Sequence, residues 1–237
     1  MCTVTFIAVD ESSFYLTSNR DEHILRLKAS PPESYFISNK NIFFPKDPQG
    51  GGTWLAVEKN KSVLCLLNGA FQSHERNEPY AKSRGLVVLD FFNYNSANDF
   101  VNNYSLEGIE PFTLIIVESN PSLALYELRW DEKEKHFRQL NHQDNHIWSS
   151  CTLYNSADIE ERENLFANWQ KNNTELNVAN IRDFHLIDNS TNPTTPIRIH
   201  RENGVQTVSV STIAVSENNT YFVYKDLITG TTHSSDI

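Results

Sequence analysis

The opening stretch MCTVTFIAVDESSFYLTSNRDE, residues 1–22, decides how the rest of the chain is read. Residues 3–9 (TVTFIAV) are rich in β-branched side chains, residues 10–13 are polar turn material, and residues 14–18 (FYLTS) form a second strand-like run. This pattern predicts a β-hairpin. If Val9 faces Phe14 across the turn, then Thr3 faces Arg20 and Cys2 faces Asp21. Opposed residues of an antiparallel pair share a face, with Cβ atoms about 4.5–5.5 Å apart. That register gathers the N-terminal thiol and the Arg20-Asp21 pair at one end of the hairpin; a slip of one residue separates them onto opposite faces.

The chemistry of that gathering is specific. Once Met1 is removed, Cys2 carries both a thiol and a free α-amine. A thiol titrates near pH 8.5, and an adjacent cation such as Arg20 enriches the thiolate. Asp21 can hold the α-amine, whose own titration at about pH 7.7–8.0 suits it to shuttling a proton. A nucleophile activated by its own N-terminal amine is an established arrangement. The competing reading is a small strand residue beside a surface ion pair worth under about 1 kcal/mol.

Composition narrows the classes. The 237 residues fit a single domain, 1–237, built as one large sandwich. With 39% hydrophobic and 11% aromatic residues and a mean hydropathy of −0.48, a soluble chain with a substantial core is expected. The net charge of −10 and the lack of Lys/Arg clusters argue against a nucleic-acid partner. No signal-peptide pattern and no apolar run near the roughly 20 residues of a membrane helix occur, so no membrane span and a cytoplasmic location are expected. Cys2, Cys65 and Cys151 are odd in number and widely spaced, which speaks against a disulfide framework or a zinc site. The sequence leaves the oligomeric state open.

Downstream, residues 28–53 read as irregular, carrying Pro31, Pro32, Pro45, Pro48 and the run Gly50-Gly51-Gly52. Strands are expected over 54–58, 62–67, 112–118, 122–130, 197–200, 207–215 and 220–225, and a strand following His146. Residues 84–92 (RGLVVLDFF) suit a buried helix or a strand. Helices are expected over 97–104, 157–171 and 178–184; the second places Ile159, Leu165, Phe166 and Trp169 near one face. Grouped helices with mostly antiparallel strands favour a mixed α/β domain over a doubly wound parallel sheet.

Several blocks carry a family resemblance: Met1-Cys2-Thr3, Asn19-Arg20-Asp21-Glu22, Gly51-Gly52-Thr53-Trp54-Leu55, Leu67-Asn68, Ser83-Arg84-Gly85 and the stretch HIWSSCTLY over 146–154. In this order they resemble the NRDE family, also called the transport and Golgi organisation protein 2 family, with the match less clear in the C-terminal third. The resemblance implies an α+β, N-terminal nucleophile hydrolase-like fold, a four-layer αββα sandwich with mostly antiparallel sheets. It also implies a distant similarity to choloylglycine hydrolases and penicillin V acylases, which cleave amide bonds with an N-terminal cysteine. Carried over, Cys2 is the nucleophile, Arg20 tunes it, Asp21 positions the amine and Asn68 donates to the oxyanion, a role in which one donor is typically worth about 3 kcal/mol. Asn19, Arg84, Ser150 and Asn155 are the substrate-binding candidates. Ser149, Ser150 and Asn155 are the alternatives for a further downstream asparagine of the acylases. The acylases also carry a C-terminal arginine; here residues 207–211 (TVSVS) lack one, and Arg198 and Arg201 lie upstream.

The expected function is therefore a cysteine amidohydrolase or acyl-transfer enzyme acting on a small amide or acyl compound, without a cofactor. The rival reading, also drawn from the resemblance, is a carrier of haem or another hydrophobic ligand, or an inactive scaffold of the same fold. The triple-glycine run precedes a strand rather than a helix, so close backbone packing or a rim loop is expected there, not nucleotide binding. His142 and His146 have i, i+4 spacing but lack an H-E-x-x-H pattern, and no metal is expected. Arg84 suits either a substrate carboxylate or a cap or salt bridge at a helix start.

Overall fold

The computed structural model describes residues 3–75, 77, 79–173, 175–188, 196–217 and 219–237. β1 (Thr3–Ala8) and β2 (Phe14–His23) form the expected hairpin. Its register is one residue off the expected one: Ala8, not Val9, pairs with Phe14, and Thr3 pairs with Asn19. The turn supplies the reason. Asp10 accepts hydrogen bonds from the amides of Ser12 and Ser13, while the amides of Val9 and Asp10 both donate to Ser13 O, which draws Val9 into the loop.

After the hairpin come β3 (Glu33–Ile37), β4 (Lys40–Phe44), β5 (Leu55–Glu58), β6 (Ser62–Asn68), α1 (Arg84–Asp90), α2 (Ala97–Asn103), β7 (Phe112–Glu118), β8 (Ala124–Trp130) and β9 (Lys135–Leu140). The chain continues through β10 (His146–Ser149), α3 (Ser156–Asn172), α4 (Val178–His185), β11 (Val205–Val215), β12 (Thr220–Asp226) and β13 (Thr232–Asp236). These elements fall into two compact units, Met1–Arg26 with Gln143–Ile237, and Leu27–His142.

The first unit holds a six-stranded antiparallel sheet in the order β10-β1-β2-β11-β12-β13. Side chains alternate across a strand. Thr3, Thr5, Ile7 and Asn19 therefore point to one face, and Val4, Phe6, Ser18 and Arg20 to the other. The helices pack on the first face, where Ile7, Phe166, Ile181, Phe184 and Ile197 form a buried apolar cluster joined by Trp169. Full burial of each such side chain is worth about 1.5–3 kcal/mol. Reciprocal capping boxes start both helices, Asn155 with Asp158 on α3 and Asn177 with Asn180 on α4.

The second unit is a seven-stranded antiparallel meander, β3 to β9 in sequence order. β6 and β7 (SVLCLLN and FTLIIVE) are buried along nearly their whole length, as their near-continuous apolar sequences demand. Residues 84–92 resolve as helix: Ser83 caps α1, which runs into a 3₁₀ turn at Phe91–Asn93. The glycine run makes the expected close backbone contact. A Cβ on Gly52 would lie 2.1 Å from the carbonyl carbon of Gly85, and Thr53 N donates to Gly85 O across the crossing.

The structure departs from the sequence reading at β3 and β4, at β9 and β13, and at residues 197–200. The segment taken as irregular contains the β3–β4 hairpin, because its prolines lie outside both strands and Ser38-Asn39 supply the turn at positive φ. β9 and β13 are polar strands at the edges of their sheets and carry little apolar pattern. Residues 197–200 form no strand; His200 makes only an isolated bridge to Gln206.

Candidate functional site

The open end of the β1–β2 hairpin collects the polar residues that the opening sequence singled out. Cys2 itself lies outside the described residues. Within them the β1–β2 ladder stops at Thr3–Asn19, and Arg20 and Asp21 follow on β2, on opposite faces of the sheet. Asn19, Arg20 and Asp21 are all buried, although an Asn-Arg-Asp run would ordinarily sit in solvent.

Asp21 points to the helix-bearing face. Thr207 lies opposite it on β11, donates its hydroxyl to Asp21 Oδ1 at 2.6 Å, and accepts from Ile199 N at 2.9 Å. A β-bulge interrupts the β2–β11 ladder between Thr207 and Ser209. In a regular strand these two residues would share a face; with Val208 as the extra residue, Thr207 serves Asp21 and Ser209 stands beside Arg20 on the opposite face. Arg20 also has Glu22 Oε2 at 4.0 Å.

Asn19 turns away from the Arg20 face. Its Nδ2 donates to the carbonyls of His185 and Ile197, which fixes the amide orientation and leaves Oδ1 against His185 Nδ1 at 2.7 Å. His185 Nδ1 is therefore the protonated nitrogen, and Nε2 accepts from Thr5 Oγ1 at 2.8 Å. Burial, reinforced by the Arg162 charge, pushes the His185 pKa down to about 3, so the ring is neutral. The Asn19 amide thus ties β2 to α4 through His185 and to the later segment at Ile197.

Arg162 on α3 was not anticipated from the sequence and is fully buried. Its guanidinium donates to Thr3 Oγ1, Ser149 Oγ and Pro196 O, and lies 4.1 Å from the centre of the Tyr154 ring. It thus fixes Thr3, the residue after Cys2, to the end of β10. A signal existed: position 162 falls three residues after Ile159 and four before Phe166, inside the apolar stripe of the helix. Arg201, one of the upstream arginines, is also over Tyr154, at 5.4 Å, and donates to Leu153 O.

The downstream alternatives separate clearly. Ser149 pairs with Thr3 and accepts from Arg162 Nε at 3.0 Å. Ser150 is buried, with its hydroxyl 2.9 Å from that of Thr152. Asn155 is exposed, and its Oδ1 accepts from Asp158 N as the cap of α3.

Two candidates belong to the second unit. Asn68 ends β6 opposite Phe112, and the chain after it is pinned: Gly69 N donates to Pro111 O, Thr113 Oγ1 to Gly69 O, and Arg129 Nη1 to Ala70 O. Arg84 opens α1 with Nη2 3.1 Å from Glu110 Oε2 and Nη1 donating to Pro111 O, the salt-bridge arrangement at a helix start. Cys65 and Cys151 are buried thiols. Among the described residues no cluster of His, Cys, Asp or Glu could hold a metal ion, and no helix is long and apolar enough to cross a membrane.

Two antiparallel sheets accompanied by few helices place the chain in the N-terminal nucleophile hydrolase fold class. Solved structures of that class share its fold. A variant of conjugated bile acid hydrolase from Clostridium perfringens matches with a TM-score of 0.59 at 11% identity, over 99% of this chain and 92% of the other. The N-acylethanolamine-hydrolyzing acid amidase orthologue of Caenorhabditis elegans matches at 0.58 and 12% identity, over 90% and 92%. Penicillin V acylase from Agrobacterium tumefaciens matches at 0.55 and 10% identity, over 100% and 86%. At these identities the likeness is one of fold. The sequence pattern of the Transport and Golgi organisation 2 family matches residues 1–233, and the chain belongs to that family. No curated protein matches it.

Proposed function

We propose that this protein is an N-terminal cysteine amidohydrolase or acyl-transfer enzyme for a small amide or acyl compound. The observation that carries the reading is the end of the β1–β2 ladder. Thr3 is locked by Arg162, and Arg20 occupies the β2 position just beyond the Thr3–Asn19 pair, on the face opposite Thr3. A permanent cation at that position favours thiolate on the preceding residue, Cys2. In this reading Arg20 tunes the thiol, and Asp21, which accepts from the Thr207 hydroxyl, orients the α-amine.

The chemistry follows in two halves. With Met1 removed, the Cys2 thiol gives its proton to its own α-amine as Sγ attacks the substrate carbonyl. Collapse of the tetrahedral adduct breaks the C–N bond; the leaving amine takes that proton and a thioester remains. Water, deprotonated by the α-amine of Cys2, then attacks the thioester and releases the carboxylic acid, and the α-ammonium returns the proton to sulfur.

Intact-mass measurement of the purified protein is the first test: the expected mass lacks Met1. Iodoacetamide labelling at neutral pH is then expected at Cys2. Cys2→Ala is expected to abolish labelling at that residue and turnover of every amide that the wild type hydrolyses. Retention of Met1, or turnover that survives Cys2→Ala, overturns the proposal.

A further inference from the structure

The six-stranded sheet carries a cavity at its other end, about 17 Å along β1 from Thr3. One row of paired residues crosses the helix-bearing face there: Ile7, Tyr15, Ala214, Tyr221 and Asp236, on β1, β2, β11, β12 and β13. Tyr15, Ala214 and Tyr221 line a cavity of about 410 Å³, together with Val9 and Asp10 from the hairpin loop and Val178 from the start of α4. That volume lies within the roughly 300–1,000 Å³ of small-molecule sites. Its shape follows from the row. Two strand spacings, about 9–10 Å, separate the tyrosines, and only a methyl group stands between them. A flat group in contact with both rings needs about 7–8 Å. Among the described residues neither tyrosine stacks on another ring, and neither is fully buried.

Charge selects what enters. Asp10 is exposed, and its Oδ1 accepts from the amides of Ser12 and Ser13 and from the Ser12 hydroxyl, hydrogen bonds that hold the carboxyl below its ordinary pKa. Those donors are neutral, so the negative charge stays, and among the described residues no cation pairs with it. Among the described residues that line the cavity none is Lys or Arg; Arg182 lies a turn beyond Val178 on α4. The dipole at the start of α4 would favour an anion, but Asn177 Oδ1 already accepts from the amides of Ala179 and Asn180 there. A cation is therefore matched by the Asp10 carboxylate and by the electron-rich faces of the two tyrosines. We propose that this cavity binds a small arylalkylammonium compound, its ring between Tyr15 and Tyr221 and its ammonium group at Asp10. The site is separate from the Cys2 reaction and does not depend on it.

The test titrates the full-length protein with 2-phenylethylammonium, its neutral isostere 2-phenylethanol and the anion 3-phenylpropanoate, followed by calorimetry at low salt. The ammonium probe is expected to bind, the alcohol to bind at least about fivefold more weakly, and the anion to bind weakest of the three. Asp10→Asn keeps an acceptor for the hairpin loop and removes the charge. It is expected to bring the ammonium probe to the affinity of the alcohol and to leave the alcohol unchanged. Ala214→Leu fills the space between the rings and is expected to abolish binding of both. Cys2→Ala is expected to bind all three probes as the wild type does. Absence of ammonium binding, equal or tighter binding of the alcohol or the anion, full affinity in Asp10→Asn, full affinity in a folded Ala214→Leu protein, or loss of binding in Cys2→Ala overturns the proposal.

Discussion

The two sheets solve the problem of burial in opposite ways. The seven-stranded meander buries strands such as FTLIIVE by apolar content, and each strand pairs with its neighbours in sequence. The six-stranded sheet buries Thr3, Thr5, Thr17, Ser18, Asn19, Arg20, Asp21, Ser209 and Ser211, and joins β2 to a strand from the far end of the chain. Polar groups on that scale cost stability unless paired. Arg162, His185 and Thr207 pair Thr3, Thr5, Asn19 and Asp21, so the first unit is held by buried polar contacts where the second is held by apolar packing.

The contrast can be broken most forcefully in the meander. Gly52→Ala sets a methyl against the Gly85 backbone and is expected to cost about 3 kcal/mol or more, read as a lowered urea midpoint. Labelling of Cys2 in the protein that remains folded should proceed at the wild-type rate if the division between the units holds.

Arg162→Ala tests the other side. It removes three charge-assisted hydrogen bonds and the contact with Tyr154, partly offset by relief of a buried charge. A net loss of about 2–3 kcal/mol is expected. Here the labelling rate of Cys2 should fall too, and Arg162→Lys should restore part of it.

Acid sharpens the comparison. His185 is neutral when folded, with its pKa depressed to about 3, and titrates near 6.5 once unfolded. The unfolded state therefore binds the proton first. The His185 contribution is whole above pH 6.5 and is lost as pH falls toward 3, amounting to about 2 kcal/mol by pH 5. Urea unfolding at pH 7 and pH 5 measures the slope, which His185→Gln should flatten. The smallest effect is expected at Asn155: as a helix cap, Asn155→Ala costs about 1 kcal/mol and leaves kcat unchanged. A large fall in kcat would point instead to the substrate-binding role considered for this residue.

What the sequence announced and what it concealed follow from the same contrast. The hairpin, α3 and α4 were legible from their residue patterns, and β6 and β7 from near-continuous apolar runs. β9 and β13 were not, since edge strands need only one partner and tolerate polar residues. The one-residue register error came from the Asp10 turn, a local hydrogen-bonding choice that strand propensity does not record. At the candidate site, the Asn-Arg-Asp segment stood out by its blocks, whereas Thr207 and Ser209 looked like ordinary strand residues because a bulge leaves no compositional trace. Arg162 was visible as a charge in an apolar stripe, though its partner Thr3 lies too far along the chain for spacing to connect them.

The discontinuity of the first unit has a consequence for biosynthesis. Leu27–His142 can complete its meander while the ribosome is still working, but Arg20 pairs with Ser209. At roughly 5–20 residues per second, the edge of β2 waits roughly ten to forty seconds for its mate to emerge. Throughout that interval β2 of the nascent polypeptide lacks the neighbour that flanks Arg20 and Asp21, so the six-stranded sheet closes only after the meander has formed.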